Sequence, residues 1–405
     1  MNKKKKLSLA AQIFTGLFLG ILAGLGFLAA GKAAWAVAYV KPFGTIFLNL
    51  IKFIVVPIVL CSIIGGVISM KDIRKVGSIG WKTVAFYLVT TAFAVIIGLI
   101  FANIFKGTFQ VLQTTDLEYE VSQTANFMDT LVNIFPSNII QPLSSATMLQ
   151  VIVIALFFGF GIILAGEKGE PLATVVVSLS DVSMVIMDLI LKLSPIGVFC
   201  LITPVVAENG AKILGSLAMV LLTAYICYAI HAIVVYSLSV KTMAGLSPMK
   251  FFKGMAPAMV MAFSSASSVG TLPLNIECSE KLGAKKDIAS FVLPLGATIN
   301  MDGTAIYQGV CAVFIATCFG IDLTLAEMVT IVLTATLASI GTAGVPGSGM
   351  IMLAMVLQSV GLPVEGIALV AGVDRIFDMG RTVVNITGDA ACSIVVSALE
   401  SKKKN

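Results

Sequence analysis

Charged residues make up only 12% of the 405 positions, about half the share found in ordinary soluble domains. With 58% of residues hydrophobic and a mean hydropathy of +1.03, a soluble globular domain of this size is excluded. The seven cysteines (Cys61, Cys200, Cys227, Cys278, Cys311, Cys318 and Cys392) form no C-x-x-C pair and mostly lie inside apolar runs. They read as small hydrophobes and not as a thiol centre. The single histidine, His231, lies in an apolar segment and reads as a hydrogen-bonded structural group. Nothing in the sequence positions it as a base for Ser348 in Gly347-Ser348-Gly349, so serine-hydrolase chemistry has no support. The net charge of +5 comes from loop and terminal lysines and reports membrane topology, not nucleic-acid binding.

Apolar segments are abundant instead. A bilayer core needs about 20 such residues per helical span, and stretches of that kind occur near 8–30, 44–70, 82–105, 148–166, 172–204, 215–240, 287–318 and 363–398. Eight transmembrane helices are therefore expected. Lys3 to Lys6 precede a run too long for a signal peptide's apolar region, so that run is read as the first span. Lys71, Arg74, Lys75, Lys82, Lys168, Lys241, Lys250, Lys253, Lys281, Lys285, Lys286 and Lys402 to Lys404 fall on one side, which by the excess of basic residues is the cytoplasmic side, with both termini. The long connection at about 106–147, with Asp116, Glu118 and Glu120, falls on the other; its acidic residues lack calcium-loop spacing. Asp188 and Lys192, four apart, are expected to pair on one helix.

Two further apolar stretches are interrupted. The first, about 250–281, carries Ser264-Ser265-Ala266-Ser267-Ser268-Val269-Gly270-Thr271-Leu272-Pro273; the second, about 324–360, carries Gly341-Thr342-Ala343-Gly344-Val345-Pro346-Gly347-Ser348-Gly349. Both read as re-entrant helical hairpins. Irregular backbone at membrane depth survives only where protein buries it or it lines a cavity, and half-helix ends there offer unpaired N–H and C=O groups to a ligand.

The last span holds a polar stripe. At about 100° per residue, Asp374, Asp378, Arg381, Thr382, Asn385 and Asp389 share one face of a helix. Intramembrane charges cost roughly 2.5–3.5 kcal/mol each on insertion scales and mark solute or ion paths. Arg381 suits a carboxylate, Asp378 an ammonium and Asp389 a cation, groups that an acidic amino acid with a coupling ion would present. The seventh span contains Asn300-Met301-Asp302-Gly303-Thr304, a run that breaks a helix and exposes carbonyl oxygens to a hard cation.

Taken together, these motifs make the chain resemble, over essentially its whole length, the glutamate/aspartate transporter family of dicarboxylate/amino acid:cation symporters. The resemblance implies an all-α membrane protein of eight transmembrane helices and two re-entrant hairpins with inverted repeats. It further implies a homotrimer in which a scaffold supports an elevator-type transport domain. By position, 1–70 would hold scaffold helices 1 and 2, 71–105 transport helix 3, 106–214 the external loop with scaffold helices 4 and 5, and 215–248 transport helix 6. The first hairpin would be 249–286, the broken helix 287–320, the second hairpin 321–361, and the last helix with its basic tail 362–405. Substrate contacts implied by matching positions are Ala266, Ser268, Thr304, Val345, Gly349, Asp378, Arg381, Thr382 and Asn385. Three sodium sites are implied: Gly296, Asn300, Asn385 and Asp389; Tyr87, Thr90, Thr91, Asn300 and Asp302; and carbonyls of Thr298, Ser339, Ile340 and Thr342, which assemble when the second hairpin closes. No cofactor is implied beyond sodium as coupling ion. The expected activity is sodium-driven import of L-aspartate or L-glutamate, the alternative a proton-coupled carrier of glutamate or C4-dicarboxylates. An ion channel or an enzyme fits the stripe less well.

Two positions depart from the family pattern. Ala266 stands where some archaeal members carry arginine, and Arg375 is expected either to supply a related charge from the last helix or to pair with Asp374 or a neighbouring carboxylate. Gln308 stands where mammalian relatives have a glutamate linked to proton and potassium coupling, which weakens a proton-coupled reading.

Overall fold

The computed structural model describes residues 9–69, 78–111, 132, 135–145, 147–210, 212–339 and 348–402. Among the described residues every regular element is helical. Helix α1 (Leu9–Ala29) leads through the short α2 (Ala33–Tyr39) to α3 (Lys41–Ser69). Next come α4 (Ser78–Phe105), the short α5 (Ile140–Ser144), α6 (Met148–Ala165), α7 (Glu170–Leu191) and α8 (Ser194–Asn209).

The stretch 172–204, one span by hydropathy, is two helices meeting at Lys192 and Leu193. Pro195 in the first turn of α8 explains the break, because proline lacks an N–H and restrains the preceding residue, whereas it fits well at a helix start. Lys192 therefore sits in a turn, not on the helical face expected to pair it with Asp188, whose side chain is outside the described residues.

Helix α9 (Lys212–His231) continues through a π-helical segment, Ala232–Tyr236, into α10 (Ser237–Ala244). Helices α11 (Pro248–Ser265) and α12 (Ser268–Lys281) form the first hairpin, turning at Ala266, the only non-glycine residue with positive φ among those described (φ 50°, ψ 42°). Ser267 caps α12 by accepting a 3.0 Å hydrogen bond from the Gly270 N–H, which satisfies one of the free donors of a helix start.

Helix α13 (Lys286–Ile299) ends at Asn300 (φ −86°, ψ 104°), and α14 (Asp302–Cys318) begins after Met301 (φ −123°, ψ 38°). The expected break in the Asn-Met-Asp run is therefore present. Helices α15 (Leu325–Ala338) and α16 (Ser348–Ser359), the arms of the expected second hairpin, pack together, and the segment between them, 340–347, lies outside the described residues. A capping box opens α15, with Thr324 and Glu327 each bonding the other's backbone N–H. The short α17 (Ile367–Ala371) then precedes the long α18 (Asp374–Lys402).

Six stretches among the described residues are long and apolar enough to cross a membrane: Ala11–Ala29, Ser78–Thr108, Gln150–Met187, Ile213–Ala244, Lys286–Cys318 and Asp374–Ser401. Their burial differs in a way that locates the site. All 17 residues of α14 are buried, and α18 is buried over most of its length. Helices α1, α6 and α7 instead expose Phe18, Phe157 and Val175, each about 60% accessible, as lipid-facing helices do. Polar residues expensive in lipid are thus placed inside and apolar ones outside.

Helix α1 packs on α8, and α3 on α6, α7 and α8; α4 packs on α14, α15 and α9, while α18 is surrounded by α10 to α14. The two groups touch where α16 meets α3 and α6, and where α17 meets α8.

Candidate functional site: a buried polar chamber along α18

The stripe on α18 is buried throughout. Asp374, Asp378, Arg381, Thr382, Asn385 and Asp389 are each 5% exposed or less. At its upper end, Arg381 donates from Nε to Asp378 Oδ1 (2.8 Å), and from Nη1 and Nη2 to the two oxygens of Asp374 (3.2 and 3.3 Å). Its guanidinium also lies 4.7 Å from the Tyr307 ring centroid, a cation–π arrangement that gains weight where water is excluded.

Gly349, at the start of α16, lies directly against this arginine. A Cβ there would collide with Nη1 and Cζ of Arg381, so with any other residue the guanidinium or the start of α16 must move from this position. From the other side, Arg375 donates from Nη2 to the Ser265 carbonyl at the first hairpin turn (3.2 Å) and lies 3.7 Å from Asp378 Oδ2. Both readings for Arg375 find a contact, the first hairpin at Ser265 and the neighbouring carboxylate of Asp378. Asp374 belongs to Arg381 instead.

One turn further along, the helix break meets the stripe. Asn385 Oδ1 accepts from the Gly303 N–H (2.8 Å), while Asn300 Nδ2 donates to the Asn385 carbonyl (2.9 Å) and to Asp389 Oδ1 (2.8 Å). Gly296 is the close-approach point on α13: a Cβ there would run into Asp389 and the Tyr87 hydroxyl. Gly296, Asn300, Asn385 and Asp389 thus converge. Tyr87 itself donates to the Val292 carbonyl at 3.2 Å.

A second cluster surrounds Asp302, which is fully buried. Thr91 and Thr90 donate to its Oδ1 at 2.7 and 3.2 Å, and Tyr236 donates to its Oδ2 at 2.7 Å, with His231 Nε2 3.1 Å from the same oxygen. The expected hydrogen-bonded role of His231 is present, but its partner is one of the candidate cation ligands.

The remaining expected residues are placed less tellingly. Ser268 and Thr304 are buried, and the Thr304 hydroxyl lies 3.7 Å from Met301 Sδ. Thr382 donates back to the Asp378 carbonyl (2.7 Å), Thr298 to the Leu295 carbonyl (2.9 Å) and Ser339 to the Thr336 carbonyl (2.7 Å). Ile340, Thr342 and Val345 lie outside the described residues. Gln308 is buried, with neither amide atom partnered among the described residues.

Sequence reasoning puts Asp374 on the stripe but not among the substrate contacts, and it does not make neighbours of the chamber of Tyr307, which packs on Arg381, or of His231 and Tyr236, which hold Asp302 from outside the candidate ligand set. Asp374 was on the stripe and seven residues from Arg381, two helical turns away on the same face, which was signal enough. Tyr307 had no comparable signal.

The chamber carries four buried carboxylates, Asp302, Asp374, Asp378 and Asp389, against Arg381 and the half-buried Arg375. An excess of buried negative charge is costly unless cations accompany it. Apolar helices long enough to span a bilayer, one of them broken beside a buried charged chamber, define the class: a polytopic α-helical membrane protein with a polar interior, the arrangement in which membrane proteins hold charged ligands.

The comparisons make the class specific. The model of the Sodium:dicarboxylate symporter family matches residues 9–399, and the chain belongs to that family. It is 39% identical to the proton/sodium-glutamate symport protein of Bacillus subtilis (strain 168) over 408 residues, covering 98% of this chain and 94% of the relative. Identity to the proton/glutamate-aspartate symporter of Escherichia coli (strain K12) is 37% over 414 residues, 99% of this chain and 94% of the relative. The C4-dicarboxylate transport protein of Bacillus subtilis (strain 168) is 31% identical over 403 residues, 98% and 94% of the two chains. The protein is a membrane transporter and not an enzyme.

Proposed function

We propose that this protein is a secondary active symporter that imports L-aspartate or L-glutamate on a sodium gradient. The observation that carries the reading is the Arg381 cluster: a buried guanidinium held by Asp374 and Asp378 and covered by Gly349. An acidic substrate's side-chain carboxylate replaces Asp374 on the arginine fork, and its ammonium pairs with Asp378. Thr382 assists at the ammonium and Asn385 receives the main-chain carboxylate, with Ala266, Ser268, Thr304, Val345 and Gly349 completing the pocket. Sodium ions bind at the Asp389 and Asp302 clusters and at the closing second hairpin, offsetting the excess of carboxylates. Because one ion site exists only when that hairpin is closed, binding shifts the lid toward closure.

The grouping of helices supports an elevator mechanism. Helices α1, α3, α6, α7 and α8 form the scaffold and trimer framework, and α4 with α9 to α18 the moving body; α16 and α17 lie at their contact. In this reading the protein is a homotrimer of the plasma membrane with both termini cytoplasmic.

The names of the relatives favour a second reading, proton-coupled transport of glutamate or of a C4-dicarboxylate. Asp378 distinguishes the substrates, since a dicarboxylate without an amino group would leave it facing another anion. Competition against labelled L-aspartate uptake in proteoliposomes tests this. Unlabelled L-aspartate and L-glutamate should compete and succinate should not; equal competition by succinate overturns the amino-acid assignment.

A further inference from the structure

His231 and Tyr236 are five residues apart. In an α-helix, at 3.6 residues per turn, that spacing separates two side chains by about 140°, so they could not reach one atom. The segment Ala232–Tyr236 is π-helical, and i→i+5 bonding widens the turn so that residues five apart fall on the same side of the helix. Both side chains consequently meet Asp302 Oδ2, from Tyr236 Oη at 2.7 Å and His231 Nε2 at 3.1 Å. Their rings pack edge to face, centroids 4.9 Å apart and planes at 85°.

The two edges of the Asp302 carboxylate differ chemically. Tyr236 already donates to Oδ2, and a carboxylate oxygen in its charged form only accepts, so the imidazole tautomer that fits this contact is the one with hydrogen on Nε2, a donor. Such a donor cannot ligate a cation. The Val384 carbonyl of α18, at 3.2 Å, is a more distant alternative acceptor for the single Tyr236 hydrogen, and Gly388 leaves room for the hydroxyl, since a Cβ there would press on it. Toward Oδ1, among the described residues, stand the hydroxyls of Thr91 and of Thr90, whose hydrogen has the Tyr87 carbonyl as an alternative acceptor at the same 3.2 Å. A threonine hydroxyl rotates and can turn a lone pair to a cation.

We propose that the π-helical segment is a clamp in which His231 and Tyr236 fix Asp302 Oδ2, leaving Oδ1 with Thr90 and Thr91 as the edge that meets the co-transported cation. Both are positioning residues: they act through Asp302 and set how tightly the cation is held. The clamp rests on the cation-coupled reading above. Outer partners of ligating groups typically change metal affinity by about 10–100-fold when removed.

The test uses full-length protein in detergent, with two readouts. One is the rise of the thermal midpoint with sodium, choline replacing it, in the absence of substrate. The other is L-aspartate affinity by calorimetry at low and at saturating sodium. Tyr236→Phe and His231→Leu should raise the sodium concentration for half-effect about tenfold, while aspartate affinity at saturating sodium stays close to wild type. His231→Gln, which can place an N–H near the former Nε2, should restore most of the sodium response. Unchanged sodium dependence in both Tyr236→Phe and His231→Leu overturns the clamp. So does a loss of aspartate affinity that saturating sodium does not recover and Gln does not rescue, which is what a packing role gives. Wild-type protein indifferent to sodium overturns the cation reading itself, and that is seen before any variant is made.

Discussion

Arg381 holds Asp374 with both terminal nitrogens, at 3.2 and 3.3 Å, although the two residues lie seven positions apart on one helix. The arginine fork is therefore already filled by a carboxylate of the protein. If the fork receives a substrate carboxylate, as proposed, that carboxylate displaces Asp374, which holds the fork in its absence. Asp374→Asn should lower the thermal midpoint of the substrate-free protein, because breaking a buried ion pair costs about 3–5 kcal/mol before relaxation, and Asp378 offsets part of it. Saturating L-aspartate should then raise the midpoint more in the variant than in wild type. Equal shifts would show that the substrate does not use that fork.

Arg381→Cys should remove acidic-substrate binding. Truncating one member of a buried, hydrogen-bonded charge pair costs about 2–5 kcal/mol, roughly 30-fold to several thousand-fold in affinity. Calorimetric titration with L-aspartate checks this, and wild-type affinity in the variant contradicts the assignment of the arginine.

Gly349→Ala puts a methyl group where the Arg381 guanidinium lies. Either the arginine leaves its carboxylates or the start of α16 shifts, so aspartate affinity should fall by about tenfold or more, equivalent to about 1.4 kcal/mol. Expression and the elution volume on gel filtration should not change. An unaffected affinity would mean that the second hairpin does not close over the arginine.

The first hairpin turn offers a stability test. Ala266 holds φ 50°, ψ 42°, a conformation that costs a non-glycine residue about 1–2 kcal/mol. Ala266→Gly should raise the thermal midpoint slightly, and Ala266→Val, β-branched, should lower it by several degrees in the same melting experiment. A valine variant as stable as wild type would show that the turn adopts another backbone.

The helix break at Asn300 and Met301, the hairpin turn at Ala266 and the polar face of α18 were legible in the sequence because each is a local signal. Asparagine, aspartate and glycine in an apolar run, serine clusters and an i, i+4, i+7 stripe need no tertiary contact to be recognised. The joint at Lys192 was hidden because hydropathy averages over a window and passes across a two-residue turn between apolar helices. The clamp on Asp302 was hidden for a different reason. It depends on a π-helical segment, and reading Ala232–Tyr236 as ordinary α-helix places His231 and Tyr236 on different faces. Asp374 lay on the stripe in plain view, but its neighbour Arg375 offered a nearer partner, and sequence alone does not decide which guanidinium takes it.

The coupling ion is the central claim, and L-aspartate uptake into proteoliposomes under separately imposed sodium and proton gradients tests it most directly. The account predicts accumulation that requires inward sodium and is indifferent to the pH gradient, with sodium dependence shifted in Tyr236→Phe. Accumulation driven by a proton gradient in the absence of sodium would contradict it, keeping the fold and the Arg381 pocket but removing the cation role of Asp302 and Asp389.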